Sequence, residues 1–290
     1  MPPHNTIFSV RMNMFVDVSQ EAFMNRRQAL AGLALAAAAP AAPAIARNAS
    51  KTYLFVHGTW LGGWMWRRLA DILIREGHRV FTPTMTGCGE RVHLSRPEVG
   101  LETHIQDVCG VIEAEELEDV ILVGHSFAGI TVTGAADRMR DRIRRIVFFD
   151  ALIPTATRLS AVPRDPDGSY ADYFEKRMPG FIDGYRMDFF KDYPIDMLLP
   201  ADHPDAPHVR RRITTHPMRQ WTDSLELKNG GWEGLRPMLV EVTRQIHAPS
   251  SERMLGPARG SGWEVAQLAT SRMGPFTDPG RAADVFRVIS

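Results

Sequence analysis

The sequence has few cysteines and no excess of charge of either sign. Only two of its 290 residues are cysteines, Cys88 and Cys109. Two cysteines are too few for a disulfide framework and lack the paired spacing of a zinc site, and spacing alone leaves a single bridge between them open. Lys plus Arg and Asp plus Glu both total 34, so no net field favours nucleic acid or an anionic membrane. We expect a small, roughly neutral ligand and no nucleic-acid partner.

Motifs for common cofactors are also missing. The glycine-containing stretch "GCGERV" (87–92) lacks the third glycine that a dinucleotide-binding loop needs at its spacing. No phosphate-binding loop and no metal-ligand cluster occurs elsewhere. We therefore predict neither a cofactor nor a metal. With 44% hydrophobic residues, the chain has enough apolar material for one sizeable core.

Residues 24–50, "MNRRQALAGLALAAAAPAAPAIARNAS", have the layout of an export signal. Arg26 and Arg27 directly precede an apolar run, which ends near the small residues Ala44-Ile45-Ala46. This order is similar to that of a twin-arginine signal peptide, which directs export to the periplasm. A short membrane anchor or an alanine-rich helix within the fold is the alternative interpretation.

The apolar run is a poor membrane span, because Pro40 and Pro43 interrupt it and it falls short of the ~20 apolar residues that cross a bilayer. We predict that residues 1–46 form an N-terminal extension with a signal peptide, and that translation starts at Met24. The domain 47–290 would then be exported, without stable membrane insertion once the signal is removed. Its oligomeric state stays open.

After residue 51, short apolar segments alternate with amphipathic helical segments. Such alternation predicts an α/β fold with a mostly parallel, doubly wound sheet, whose ligand site lies at the carboxyl ends of the strands. From about 155 to 231 the periodicity weakens, and we interpret this stretch as an inserted helical cap. The predicted strands lie within 52–58, 78–91, 118–126, 143–154, 235–243 and 262–270.

The segment Gly124-His125-Ser126-Phe127-Ala128 runs from a predicted strand into a predicted helix. A serine hydroxyl becomes nucleophilic when a tight strand-to-helix turn exposes it and a base removes its proton. Gly-x-Ser-x-Gly marks such a turn, and alanine in the last position is still small. We predict that Ser126 is the nucleophile; a serine that only caps the following helix is the alternative.

A second loop, "HGTW" from His57 to Trp60, follows the first strand of the domain. Acyl transfer needs two hydrogen-bond donors for the developing oxyanion, commonly the N–H after the nucleophile and one from this earlier loop. We predict that the backbones of Thr59 and Phe127 supply them. His57 is expected to be structural. In a triad whose chain order is serine, acid, histidine, the base comes late in the chain, after the nucleophile.

These motifs together resemble the α/β-hydrolase superfamily, in particular the small bacterial esterases and the plant hydroxynitrile lyase and methylesterase group. The resemblance extends over some 230 residues. It rests on "FVHGTWLGGWMW", "GHRVFTPTMTGCGERVHL", "VILVGHSFAG" and "VFFDALIP", and more weakly on "THPMRQWTDSL", "GWEVAQLAT" and "TDPGRAADVF". It implies an α/β-hydrolase fold and a Ser–acid–His triad.

The resemblance places the catalytic histidine between "LAT" and "TDP", where this sequence has Arg272. Arginine stays protonated and cannot act as a general base at neutral pH. His247, near the usual position of the acid, is therefore the tentative base, and His216 in the cap is another option. Asp150 is the tentative acid, although an aspartate there could simply cap a turn; Glu252 is the other candidate.

Three functions remain open. The first is hydrolysis of a small, moderately hydrophobic ester, lactone or related acyl compound through Ser126. The second is a non-hydrolytic lyase, cyclase or isomerase reaction, and the third is ligand binding by a pseudoenzyme, because the triad histidine is missing. Cap aromatics would line an apolar pocket in each case, and we expect Trp60 and Trp221 to contact the substrate.

Overall fold

A parallel sheet forms the centre of the structure, a computed structural model that describes residues 50–155, 159–162, 164–244, 258 and 262–289. The extension 1–46 and the candidates His247 and Glu252 lie outside the described residues. Six strands pair in the order β2-β1-β3-β4-β7-β8, every pair parallel. The strands are β1 (Thr52–Val56), β2 (Arg79–Phe81), β3 (Val120–His125), β4 (Ile143–Phe149), β7 (Met238–Val242) and β8 (Glu264–Leu268).

The central strands are continuous apolar runs because helices cover both faces of the sheet. All residues of β1 and β3 are buried. The flanking helices are α1 (Arg67–Arg75), α2 (Leu101–Ala114), α3 (Ala128–Arg138), α8 (Gly274–Thr277) and α9 (Pro279–Val288). The predicted parallel α/β fold is therefore confirmed.

Local sequence signals explain where the helices begin and end. Gly77 follows the C-cap residue of α1 and adopts the left-handed region at φ +91°, a conformation that ends the helix. Pro279 lies in the first turn of α9, where its missing N–H costs nothing, and the Asp278 carboxylate accepts from the Arg281 backbone N–H. A 3₁₀ turn over Gly63–Trp66 precedes α1, so the first predicted helix is interrupted near its start.

The chain between β4 and β7 forms the cap. Within its described residues it contains four short α-helices, as expected for an inserted helical cap, together with an antiparallel pair of two-residue strands. Its elements are α4 (Asp172–Glu175), β5 (Arg186–Met187), α5 (Phe189–Asp192), α6 (Ala206–Arg212), β6 (His216–Pro217) and α7 (Arg219–Thr222).

The carboxyl ends of β1, β3 and β4 lie side by side beneath the cap. Val56 pairs with Gly124 and His125 with Phe149, so the residues that follow these strands meet at one edge. Cys88 and Cys109 are both free. Within the described ranges, no helix is long and apolar enough to cross a membrane.

Candidate active site

Ser126 occupies a sharp turn between β3 and α3. Its φ is +57°, a conformation that costs a non-glycine residue of order 1–3 kcal/mol and that persists only where the surroundings enforce it. Glycines on both sides permit the turn. A Cβ on Gly124 would lie 2.6 Å from a Val132 methyl, and one on Gly129 would lie 1.9 Å from the Leu152 carbonyl oxygen. The predicted elbow geometry is therefore present.

The loop after β1 packs directly against this turn. A Cβ on Gly58 would lie 2.7 Å from His125 Nδ1 and 2.8 Å from Ser126 Cβ, so only glycine permits the approach. Neither the Thr59 N–H nor the Phe127 N–H donates to another described residue. Both backbone N–H groups are therefore available as hydrogen-bond donors.

Arg272, in the loop after β8, reaches Ser126. Its Nη2 donates to Ser126 Oγ at 2.8 Å, and its Nε lies 2.8 Å from Asp150 Oδ2. The Arg272 side chain is 10% exposed and the Asp150 side chain is fully buried, so this ion pair is formed away from bulk water. Asp150 itself follows β4 with φ +44°, a conformation that aspartate tolerates better than most residues.

The order Ser126–Arg272–Asp150 has the spatial form of a catalytic triad but different chemistry. A guanidinium group has only donors and no lone pair to take a proton. Arg272 therefore cannot deprotonate the Ser126 hydroxyl, whereas its charge favours negative charge on Oγ. Asp150 holds the guanidinium in place as an acid would hold a histidine.

His125 is the buried histidine beside this group. Neither of its ring nitrogens has a hydrogen-bond partner among the described residues, and the ring makes edge contacts with Trp66 and tilted contacts with Phe149. Burial, followed by the charge of Arg272, lowers the pKa of His125 well below its usual value. The imidazole is therefore neutral at physiological pH.

Other nearby histidines are held by the backbone of the loops. His57 Nε2 accepts from the Met85 N–H at 3.0 Å, and burial lowers the pKa of His57 to about 4. His57 thus holds the loop, as expected from the sequence. His216 does not line the cavity above Ser126, so the structure does not bring this possible base to the nucleophile.

A partly open cavity of about 140 Å³ lies above Ser126. A cavity of similar volume in a protein core accommodates a benzene-sized molecule, so the occupant is small. Its walls are mainly apolar, and its lining includes the hydrogen-bonded pair Ser126 and Arg272. The lining residues are Thr59, Trp60, Leu61, His125, Ser126, Phe127, Phe189, Tyr193, Met197, Leu198, Trp221 and Arg272.

Most residues singled out in the sequence meet at this cavity. Ser126, Thr59, Phe127, Trp60 and Trp221 line it, with Asp150 directly behind Arg272. The sequence did not predict the ion pair between Asp150 and Arg272, because two residues 122 positions apart carry no local pattern. The wall residues Met197 and Leu198 were also missed, since nothing in their local sequence distinguishes them from other apolar cap residues.

Within the parts of the chain that the structure describes, no group of three His, Cys, Asp or Glu side chains is arranged to hold a metal ion. The cavity lining instead includes the Ser126 hydroxyl, the Arg272 guanidinium, and Thr59 and Phe127, whose backbone N–H groups are unpaired among the described residues. Such groups bind a carbonyl oxygen and stabilise the charge that develops on it.

Comparison with known families is consistent with this architecture. The model of a family described as "Alpha/beta hydrolase family" matches residues 53–284. The chain belongs to the alpha/beta hydrolase family. The family assignment covers β1 through most of α9, including the elbow, the loop after β1 and the cap.

Among curated relatives, a carbendazim hydrolyzing esterase from Nocardioides sp. (strain SG-4G) is 58% identical over 102 residues, 35% of this chain and 42% of that protein. Methylesterase 9 of Arabidopsis thaliana is 34% identical over 142 residues, 48% of this chain and 51% of that protein. The chain thus spans about half or less of the length of the curated relatives it matches.

Solved structures share the fold. An extracellular alpha/beta-hydrolase from a Paenibacillus species, described as homologous to Tobacco Salicylic Acid Binding Protein 2, has a TM-score of 0.66 and 21% identity. It covers 81% of this chain and 97% of its own. Tomato Methylketone Synthase I has a TM-score of 0.63 and 13% identity, and covers 83% of this chain and 97% of its own. At these identities the likeness shows the fold alone.

Proposed function

We propose that this α/β hydrolase cleaves a small, moderately hydrophobic ester, lactone or related acyl compound, with Ser126 as its nucleophile. The observation that carries the proposal is the strained Ser126 elbow beneath an apolar cavity, which is also lined by Thr59 and Phe127 with their backbone N–H groups, unpaired in the described part of the chain. The esterase and methylesterase names of its relatives support acyl chemistry. The cavity volume limits the acyl or alcohol part to about the size of one aromatic ring.

In the proposed reaction, the carbonyl oxygen of the substrate accepts from the Thr59 and Phe127 N–H groups. Hydroxide from solvent takes the Ser126 proton, and Oγ attacks the carbonyl carbon. The bond to the leaving alcohol breaks as the alcohol takes a proton from water, and a second water hydrolyses the acyl-enzyme to the acid. Arg272 stabilises the negative charge on Oγ before attack, a role for which its fixed positive charge is suited.

One observation favours a second candidate, a ligand-binding protein or a lyase, cyclase or isomerase that forms no acyl-enzyme. Arg272 donates to Ser126 Oγ and thereby occupies the direction from which a base would act. The guanidinium and the backbone N–H groups can still bind and polarise a carbonyl compound without attacking it. Reactivity of Ser126 itself separates this candidate from the hydrolase.

Labelling of the purified protein with a fluorophosphonate probe tests the hydrolase proposal. We expect covalent labelling that is lost completely in Ser126→Ala, because phosphonylation requires the nucleophilic Oγ. Ser160→Ala, which removes another buried serine hydroxyl, is the matched control and should label like the wild type. A folded wild-type protein that does not label at any pH up to 9 would favour the binding protein or the non-acyl enzyme.

A further inference from the structure

The cap segment from His216 to Trp221 contacts both sides of the proposed oxyanion hole. The Trp221 indole Nε1–H donates to Thr59 Oγ1 at 3.0 Å. Its ring also stacks on the Phe127 ring, with centroids 4.2 Å apart and an interplanar angle of 24°. One side chain therefore links Thr59 and Phe127, which line the cavity and whose backbone N–H groups are unpaired within the described ranges.

A chain of hydrogen bonds also links the loop after β1, at Trp60, to Phe127. The Trp60 N–H donates to His216 Nδ1 at 3.4 Å, and His216 Nε2 lies 3.3 Å from Gln220 Oε1. The Gln220 Nε2 donates to the Phe127 carbonyl oxygen at 3.3 Å. Since Nδ1 accepts from Trp60, the His216 proton lies on Nε2 and is donated to Gln220.

Burial keeps His216 neutral, so that each of its ring nitrogens keeps its role as donor or acceptor in this chain of hydrogen bonds. His216 and Gln220 are 2% and 3% exposed. Burial is the main cause that lowers the pKa of His216 well below its usual value, so the ring stays neutral and keeps an acceptor for Trp60. Cys88 Sγ lies 3.2 Å from the same Nδ1, and burial raises the pKa of this thiol, which therefore stays protonated and can share the acceptor.

We propose that Gln220 and Trp221 are positioning residues that set the separation of the Thr59 and Phe127 N–H groups. This inference rests on the proposed acyl hydrolase function. An oxyanion donor is effective within about 2.7–3.1 Å of the developing charge. A displacement of about 1 Å can cost up to a hundredfold in rate. His216, considered from the sequence as a base, then serves the geometry of the loop.

Two variants remove the hydrogen bonds while keeping most of the packing. Gln220→Met removes the amide, and Trp221→Phe removes the indole N–H but leaves an aromatic ring on Phe127. For both variants, we expect kcat for a small nitrophenyl ester to fall about 10- to 100-fold. In Gln220→Met, whose side chain does not line the cavity, KM should change less than about threefold, whereas in Trp221→Phe, which shortens a cavity wall, KM should rise as well. A merely structural loosening of the cavity would raise KM instead.

Matched controls exist elsewhere in the chain. Trp232→Phe removes an indole N–H that donates to the Pro154 carbonyl oxygen, and Gln106→Met removes an amide that donates to Glu102. Among the described residues, neither side chain is hydrogen-bonded to the loop after β1 or to the turn at Ser126, so both controls should keep wild-type kcat. Unchanged kcat in both Gln220→Met and Trp221→Phe, or losses confined to KM, would overturn the proposal.

An amide spectrum of ¹⁵N-labelled protein separates this inference from the proposed function. In Gln220→Met we expect the amide signals of both Trp60 and Phe127 to shift, and in Gln106→Met neither. If the wild type turns over no ester, the hydrolase proposal fails. The amide signals alone then show whether Gln220 links the loop after β1 to Phe127. A shift at Phe127 without one at Trp60 would contradict a chain that links the two loops.

Discussion

Arg272→His should raise the rate of ester hydrolysis at pH 7 by about 100-fold or more. A general base at the position of the guanidinium contributes about 10²–10⁴-fold to such reactions. Asp150, whose carboxylate lies 2.8 Å from Arg272 Nε, is placed to orient an imidazole that enters from the same loop. The measurement is kcat/KM for a short-chain nitrophenyl ester in the wild type and the variant.

Two further variants test whether the gain in rate comes from a general base that acts on Ser126. Arg272→Gln removes the charge without adding a base, and its rate should not exceed that of the wild type. Adding Ser126→Ala to Arg272→His should abolish the gain, because the new base then has no hydroxyl to deprotonate. Equal rates for Arg272→His and Arg272→Gln would mean that position 272 is not where a base acts on Ser126.

Asp150→Asn should lower the free energy of unfolding by about 3–5 kcal/mol. The Asp150 side chain is fully buried, and its loss leaves the Arg272 charge without this carboxylate in a largely buried site. For a domain of this size the loss corresponds to a melting temperature lower by roughly 6–20 °C. Denaturant unfolding or calorimetry measures it.

A double variant and an exposed pair serve as controls. Arg272→Met combined with Asp150→Asn removes both charges and should restore much of the loss. Glu102→Gln breaks the ion pair with Arg138, whose side chains are 57% and 37% exposed, and should cost less than about 1 kcal/mol. If Asp150→Asn also lowered the free energy of unfolding by less than about 1 kcal/mol, the ion pair between Asp150 and Arg272 would not be a major contribution to stability.

Sequence patterns were sufficient for the sheet and the elbow because both are local. The buried runs at Thr52–Val56 and Val120–His125 and the small residues around Ser126 determine strand and turn without reference to distant parts of the chain. The loop after β1 could be assigned to the site because it begins where a parallel strand ends. Together these predicted where the site lies.

The contacts that decide the chemistry were not local. The sequence identified Arg272 as a departure and Asp150 as one possible acid, but only the packed structure brings the two together over Ser126. Likewise, the cap sequence "HPMRQW" gave no sign that Gln220 and Trp221 would reach back to the loops, since such hydrogen bonds depend on how the cap folds over the sheet. His247 stays a prediction, outside the described residues.

The pH dependence of the wild-type fluorophosphonate labelling rate tests most directly whether Ser126 works without a histidine base. Burial lowers the pKa of His57 to about 4 and holds those of His125 and His216 well below their usual values, so none of them changes its protonation between pH 6 and 9. If hydroxide takes the proton while Arg272 favours the alkoxide, the rate rises about tenfold per pH unit across this range, without a plateau. A rate that instead levels off above pH 6–7 would reveal a titrating base and contradict the assigned role of Arg272.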